Sequence, residues 1–517
     1  MIGFHPFSRV ILPVFLLLTI GAMNSPGASL NQQQTCGKEI YSQGIDCRGR
    51  EIRAVLGDME IPAKVQSCSS CHGSDGRGRP EGGLDPGDIT WEHLSISYGH
   101  AHDTGRTHPA FTEKSWYRAV TLGIDPAGHK LSTLMPRFKM SHEQLADLFA
   151  YIKRLSSDFD PGIEPSSVTI GSLVPEKGNS ADAGNAVRAV LAAYFEQVNQ
   201  HGGIYGRRII LQFGDVGAGR PEAMNNAQRL IHTPVFATIA PFVSGMENDF
   251  ARVVLENRVP SVGPLTVSVP DDPGNGGVFY LSPGLRQLAR ELVRWAVEQR
   301  HINSLRAAVI FASRKAREEV SSALESAWQS FGSAPQELEY SPSNREQLVR
   351  SLQQQKTASI FFVGSGTDAL ELMQTSHQAG WTPQVFLLGP LLDNDVLDAP
   401  AEFQGNILVA YPARQADGLG EFDAFSMRHH LPATDRWLQA SAYCAAKVFE
   451  DALARAGREL SRERFLRSLE QMRNFQPGPL PEITFGPNRR VGSTKVEILC
   501  ADLKNRRFVS ACAEEYR

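Results

Sequence analysis

Ser67–Gly78 reads SCSSCHGSDGRG. The chain has seven cysteines, and two of them, Cys68 and Cys71, stand three residues apart with His72 directly behind. C-x-x-C-H is the attachment spacing of a c-type haem. Two thiols add across the two vinyl groups of one porphyrin, and the adjacent histidine becomes the proximal iron ligand. Three other readings compete. A zinc site needs a second C-x-x-C or an H-x-x-x-H pair at finger spacing, and the chain has neither. A thioredoxin-like pair follows a strand in a βαβ pattern, whereas this one follows polar, glycine-rich sequence. A structural disulfide is the plainest reading. Haem attachment is preferred because the flanks and the compartment agree with it.

An iron held by His72 takes a sixth ligand or stays open. Met135 is the candidate, in LMPRFKMSHEQLADLFAYIKRL. A thioether stabilises ferrous iron and raises the potential, which suits electron transfer, and Pro136 stiffens the backbone behind it. Met140 is the nearer rival but lacks a following proline. Ser141 and Gln144 make an S-x-x-Q capping box that starts a helix. Leu145, Leu148, Phe149, Ile152 and Leu155 then fall at helical spacing and give one apolar face. The long loop Pro80–Leu134 carries His93, His100, His102, His108 and His129. Any of these is an alternative to Met135, although the expectation for most is a solvated loop histidine.

The N-terminus, MIGFHPFSRVILPVFLLLTIGAMNSPGAS, places Arg9 before the apolar run Val10–Ile20 and small residues after it. This predicts a signal peptide over 1–29, with an uncleaved anchor as the alternative. No later stretch is long and apolar enough to span a bilayer, so a periplasmic protein is expected. Export permits disulfides. Cys36 with Cys47, and Cys500 with Cys512 on a hairpin around LKNRR, are candidate bridges. Cys444, in the helical run ASAYCAAKVFEDALA, reads as a buried free thiol.

At 517 residues the chain exceeds one ordinary core. Its net charge of −4 comes without a basic block, which argues against nucleic-acid and lipid-surface partners. A Ser-, Asp- and Pro-rich stretch reads as a linker over 158–167. It divides a first domain, 30–157, from a second, 168–517. The second domain alternates VTIGSLVP, NAVRAVLAAYFEQVNQHGG, RRIILQFGD, AMNNAQRLIH and PVFATIAPF. The alternation restarts at RAAVIFAS and runs on through ASIFFVGSG and QVFLLGP. Strand–helix alternation in two blocks predicts two α/β lobes with parallel sheets and a ligand cleft beyond the strand ends. The expected fold is thus a small all-α domain followed by a two-lobe α/β domain. No P-loop, H-E-x-x-H or G-x-S-x-G occurs, and GDVGAGRPEA lacks the third glycine of a dinucleotide loop.

The first domain resembles the class I c-type cytochromes. That family runs helix, C-x-x-C-H, long loop, Met-Pro and C-terminal helix, and GKEIYSQG, SCSSCHGSDGRG, MPRF and LADLFAYIKRL follow this order. The resemblance implies one covalent haem c, on Cys68 and Cys71, with His72 and Met135 as iron ligands. The second domain resembles the type I periplasmic binding proteins, in particular the leucine/isoleucine/valine receptor group of ABC importers. The stretches AVLAAYFEQVNQHGGIYGRRIILQFGD and HQAGWTPQVFLLGP carry that likeness. It implies that Ser244 in APFVSG and Thr266 in VGPLTVS hold a ligand carboxylate, while the plain reading makes both ordinary strand-end caps. The family's ammonium pocket is not matched. Ala316 and Arg317 replace a Tyr-Gly pair, Leu391 and Leu392 replace an acidic residue with Asp393 one step beyond, and SPGLRQLA lacks the usual Asp. Arg286, Arg314 and Arg317 are candidates for a second anionic group.

These readings together predict a periplasmic electron carrier rather than an enzyme. Its receptor-like domain would dock or bind a ligand, and its redox partner would be a periplasmic dehydrogenase, by analogy a quinoprotein. The alternatives are an ABC-importer receptor for a small carboxylate, which needs a separate permease and ATPase, and a redox-linked ligand sensor. A haem enzyme would require Met135 not to bind.

Overall fold

The computed structural model describes residues 30–78, 86–102, 105–270, 276–392, 394–414 and 416–510. The expected signal peptide, Asp393, Cys512 and Pro80 in the histidine loop lie outside them. The chain forms two compact units, Met1–Asp158 and Phe159–Arg517.

The first unit is built on two helices at its ends. Gln32–Gln43 starts at a capping box of Asn31 and Gln34 and stops at Gly44, which takes a left-handed φ of 67°. His142–Ile152 starts at the Ser141–Gln144 capping box read from the sequence. Its predicted face, Leu145, Leu148, Phe149 and Ile152, is buried, as is Leu155 in the 3-10 turn that follows. The two helices cross at Gly37, where a Cβ would stand 2.1 Å from the Asp147 carbonyl oxygen. Only hydrogen fits there. Trp116, Phe138 and Tyr41 complete the core. The unit is helical as expected, and it also carries two small antiparallel sheets. One pairs Arg53–Leu56 with Met59–Pro62 and Arg137–Lys139, and the other pairs His100–Ala101 with Thr107–His108. The Cys36–Cys47 bridge is present with a Cα–Cα distance of 5.1 Å.

Asp46 ties this unit together from a fully buried carboxylate. It accepts from the Arg48 N–H at 3.0 Å, Arg50 Nε at 2.6 Å and Gln144 Nε2 at 2.8 Å. Burial opposes its charge, but these bonds outweigh burial and hold it below the usual aspartate value.

The second unit has the two lobes predicted. The first lobe holds a five-stranded sheet, all parallel, in the order Val278–Phe279, Ser261–Val262, Thr238–Ile239, Ser167–Val174, Arg208–Asp215. In the second lobe, Gln336–Glu339, Ala307–Phe311, Ser359–Val363, Gln384–Leu388 and Ile407–Pro412 run parallel. The antiparallel hairpin Val496–Asp502 with Arg507–Ser510 extends that sheet. The central strands Ala307–Phe311, Ser359–Val363 and Gln384–Leu388 are almost wholly apolar and buried because helices cover both faces, while the edge strand Gln336–Glu339 is polar. The chain then returns to the first lobe, where Phe422 and Phe425 join its core and the alanine-rich face of Arg436–Ala456 buries Cys444 as a free thiol. The close seat of that helix depends on Gly263, at φ 64°, where a Cβ would come within 2.6 Å of Ala445 Cβ. Three segments link the lobes. Ser493 N–H pairs with the Leu281 carbonyl at 3.0 Å, and Ala413 N–H with the Lys495 carbonyl at 3.0 Å. Cys500 is disulfide-bonded.

Candidate functional site

Cys68–His72 forms one short helix. Helical spacing of three puts both thiols on one side, with the imidazole one step on. The helix is fastened locally. Ser69 Oγ donates to the Ser42 carbonyl at 3.0 Å, and Tyr41 hydroxyl donates to the Gly73 carbonyl at 2.6 Å. Both cysteines are half-buried and free. Burial pushes the Cys68 thiol up to about 12, the opposite of the acidified thiol that a C-x-x-C redox pair requires. His72 Nδ1 lies 3.2 Å from the Gly87 carbonyl. That bond places the proton on Nδ1 and leaves the Nε2 lone pair for a metal, the usual outer-sphere support of a ligating histidine. Burial also lowers the His72 pKa, which keeps the ring neutral. Around the core stand half-buried Ile89, Trp91, Tyr117, Leu131 and Met140. Two free thiols, one oriented imidazole and an incompletely covered apolar wall fit a c-type haem.

Met135 is half-buried at the end of a turn, with its N–H on the Ser132 carbonyl at 3.2 Å. Arg137 braces that turn from below. Its guanidinium donates to the carbonyls of Met135 at 2.5 Å and of Leu131 and Ser132 at 3.0 Å. Gly123, at φ 66°, makes room for it, since a Cβ would overlap the guanidinium. Met140 packs against the core beside the strand Arg137–Lys139.

The loop histidines depart from expectation. Four of them form one cluster of tilted rings, of which His102 remains exposed, His93 and His100 are half-buried and His108 is buried. His93 and His100 rings lie 4.5 Å apart, and His108 lies 5.1 Å from both His100 and His102. His108 is buried, with Nδ1 on the Pro109 carbonyl at 2.9 Å. The antiparallel pairing of His100 with His108 brings them together, a register that the sequence does not announce. His129 stays exposed, beside Asp125. Among the described residues, no group of three or more His, Cys, Asp and Glu is arranged to hold a metal ion.

In the second unit, Ser244 and Thr266 follow adjacent strand ends, joined by the Phe242–Leu265 bridge. Ser244 is exposed. Thr266 is not free, because its hydroxyl donates to Glu247 Oε1 at 2.6 Å. The three arginines proposed for a second anion are also engaged. Arg314 pairs with Glu318 at 2.7 Å, Arg317 with Glu337 at 2.8 Å, and Arg286 Nε donates to the Glu319 carbonyl at 2.9 Å. Leu391 and Leu392 pack against the core of the second lobe.

The family model described as periplasmic binding protein matches residues 167–504. The chain belongs to the periplasmic binding protein family. A cytochrome c model matches residues 63–156 ahead of it, so this binding protein carries a cytochrome c domain, which implies a covalently bound haem c. Both domains imply an extracytoplasmic location. No described helix is long and apolar enough to cross a membrane. A Leu/Ile/Val-binding protein of Rhizobium johnstonii is 29% identical over 107 residues, 20% of this chain and 29% of that relative's length. The fatty acid ABC transporter substrate-binding protein from Thermomonospora curvata superposes with a TM-score of 0.57 at 19% identity, covering 68% of this chain and 93% of that one. An ABC transporter substrate-binding protein from Desulfitobacterium hafniense, in complex with Leu, gives 0.54 at 18%, covering 67% and 100%. At such identities the likeness is one of fold.

Several residues of this binding protein carry weight that no motif signalled. Gly37, Arg137, Asp46 and Glu247 each act through partners far along the chain or across a turn. Arg462 is another. Its guanidinium donates to the carbonyls of Val235 at 2.6 Å and Phe236 at 2.9 Å, ahead of the Thr238–Ile239 strand.

Proposed function

We propose that this protein is a periplasmic electron carrier with a single haem c, joined to a receptor-type domain that serves in docking rather than solute import. Cys68 and Cys71 would hold the group covalently, and His72 and Met135 would be its iron ligands. Bound there, it supplies a one-electron ferric/ferrous couple. The observation that carries the reading is the His72 Nδ1 contact with the Gly87 carbonyl at 3.2 Å, beside two free thiols on the same short helix. The chain's own residues orient the imidazole, hold it neutral and brace the Met135 turn through Arg137. The expected signal peptide over 1–29 and domain boundaries near 158–167 belong to the same reading. So does a periplasmic dehydrogenase, such as a quinoprotein, as electron donor. An optical spectrum of the exported protein tests it. The reading expects a low-spin, six-coordinate haem whose ferrous form does not bind CO. A five-coordinate, CO-binding iron would favour a haem enzyme instead. The importer reading, with a small carboxylate ligand and an ABC permease, draws less support because Thr266 is already engaged by Glu247.

A further inference from the structure

The C-terminal ends of Thr238–Ile239 and Ser261–Val262 are where open α/β sheets take their ligands. Two donors converge there on one oxygen. Gly245 N–H donates to Glu247 Oε1 at 3.0 Å, and the Thr266 hydroxyl donates to the same atom at 2.6 Å. Thr266 Oγ1 in turn accepts the Ser268 N–H at 3.0 Å. That leaves its own proton for the carboxylate. An amide and a hydroxyl aimed at a carboxylate oxygen are an oxyanion cradle, and here the carboxylate is the chain's own.

Glu247 opens the helix Glu247–Asn257, where a negative charge is favoured by the helix dipole. That accounts for an acidic residue at this point. It does not account for the Thr266 bond, which comes from the neighbouring strand end. The opposite lobe adds a charge of the other sign. Lys315, in the first turn of Arg314–Gln329, brings Nζ to 3.9 Å from where a Gly245 Cβ would stand. It is exposed and makes no described ion pair.

We propose that Glu247 is a built-in occupant of this cradle, so that the cleft is closed to ligands that bind through a free carboxylate. The Gly245 N–H and the Thr266 hydroxyl are spent on Glu247, which leaves exposed Ser244 as the one expected hydroxyl not engaged by it. Lys315 stands close by, its Nζ 3.9 Å from where a Gly245 Cβ would be. Glu247 is thus the specificity-determining residue of the cleft. This inference goes beyond the electron-carrier reading and stands without it.

The test is calorimetric titration of the full-length holoprotein with acetate and with L-leucine, on wild type, Glu247→Ala and Glu247→Gln. Far-UV circular dichroism serves as the folding control. Wild type should show no saturable binding of either probe. Glu247→Ala should gain saturable binding of at least one, roughly tenfold or more tighter than any wild-type signal. Glu247→Gln should behave like wild type, because its amide oxygen still accepts from Gly245 and Thr266. Saturable binding to wild type overturns the proposal, even if the alanine variant fails to fold. So does a folded Glu247→Ala that binds neither probe, or a Glu247→Gln that opens as the alanine variant does. No readout depends on the iron, so failure here leaves the haem reading intact, and the reverse also holds.

Discussion

The two domains carry their chemistry in different ways. In the cytochrome domain the proposed covalent anchor is five consecutive residues, Cys68–His72, on one short helix. In the binding-protein domain the cleft is assembled from strand ends separated by long crossovers, and Glu247 and Thr266 meet only after the sheet has formed. Local chemistry survives as a string of letters. Chemistry built by topology does not, and one glutamate can spend a cradle's donors without altering any motif. On the two proposals, the cytochrome domain is the working site, and the receptor domain is a fold whose carboxylate cradle Glu247 fills.

That contrast can be broken most directly at the anchor. Replacing Cys68 and Cys71 together by alanine should abolish covalent haem entirely, seen as loss of haem staining on a denaturing gel. Staining that persists would remove the motif's role. Met135→Ala should lower the haem potential, by an amount on the order of 0.1 V within the roughly 0.8 V span that axial ligands control, and should let the ferrous form bind CO. If Met140→Ala does this instead, the sixth ligand is Met140.

Two predictions compare how each domain is held together. Gly37→Ala would drive a methyl into the Asp147 carbonyl, and overpacking of this kind costs about 3 kcal/mol. Thermal melting followed at the haem band should show it, with the binding-protein domain unaffected. Arg462→Met removes the donor shared by Val235 and Phe236. Leaving those carbonyls unsatisfied should cost about 2 kcal/mol and lower only the melting of the binding-protein domain. Burial holds the Arg462 pKa down, although Asp160 nearby opposes that shift.

The smallest expected effect is a pH dependence. Asp46 is held below its ordinary value of 3.8. A depressed carboxylate contributes stability above its unfolded pKa and loses it as pH falls through the folded one. The cytochrome domain should therefore weaken on acidification below about pH 4, and Asp46→Asn should flatten that limb of the profile. An unchanged acid limb would mean that the Arg48, Arg50 and Gln144 bonds contribute nothing net.

Much of the architecture was legible because it rests on local signals. The Ser141 capping box, the apolar face from Leu145 to Leu155 and the strand–helix alternation all depend on neighbours within a few residues. The histidine cluster was not legible, since it depends on the register that places His100 opposite His108. Nor was the demand for Gly37, which comes from Asp147, a residue on the other terminal helix. Ser244 and Thr266 sit at strand ends as expected, yet sequence alone cannot tell a free hydroxyl from one committed to Glu247.

The most direct single measurement is a potentiometric titration of the haem absorbance of the exported protein, run with and without acetate. The account predicts one reversible one-electron transition that acetate does not move. An absent haem band, or a ferrous iron that binds CO, would contradict the electron-carrier claim. A midpoint that shifts with acetate would contradict a cleft closed by Glu247.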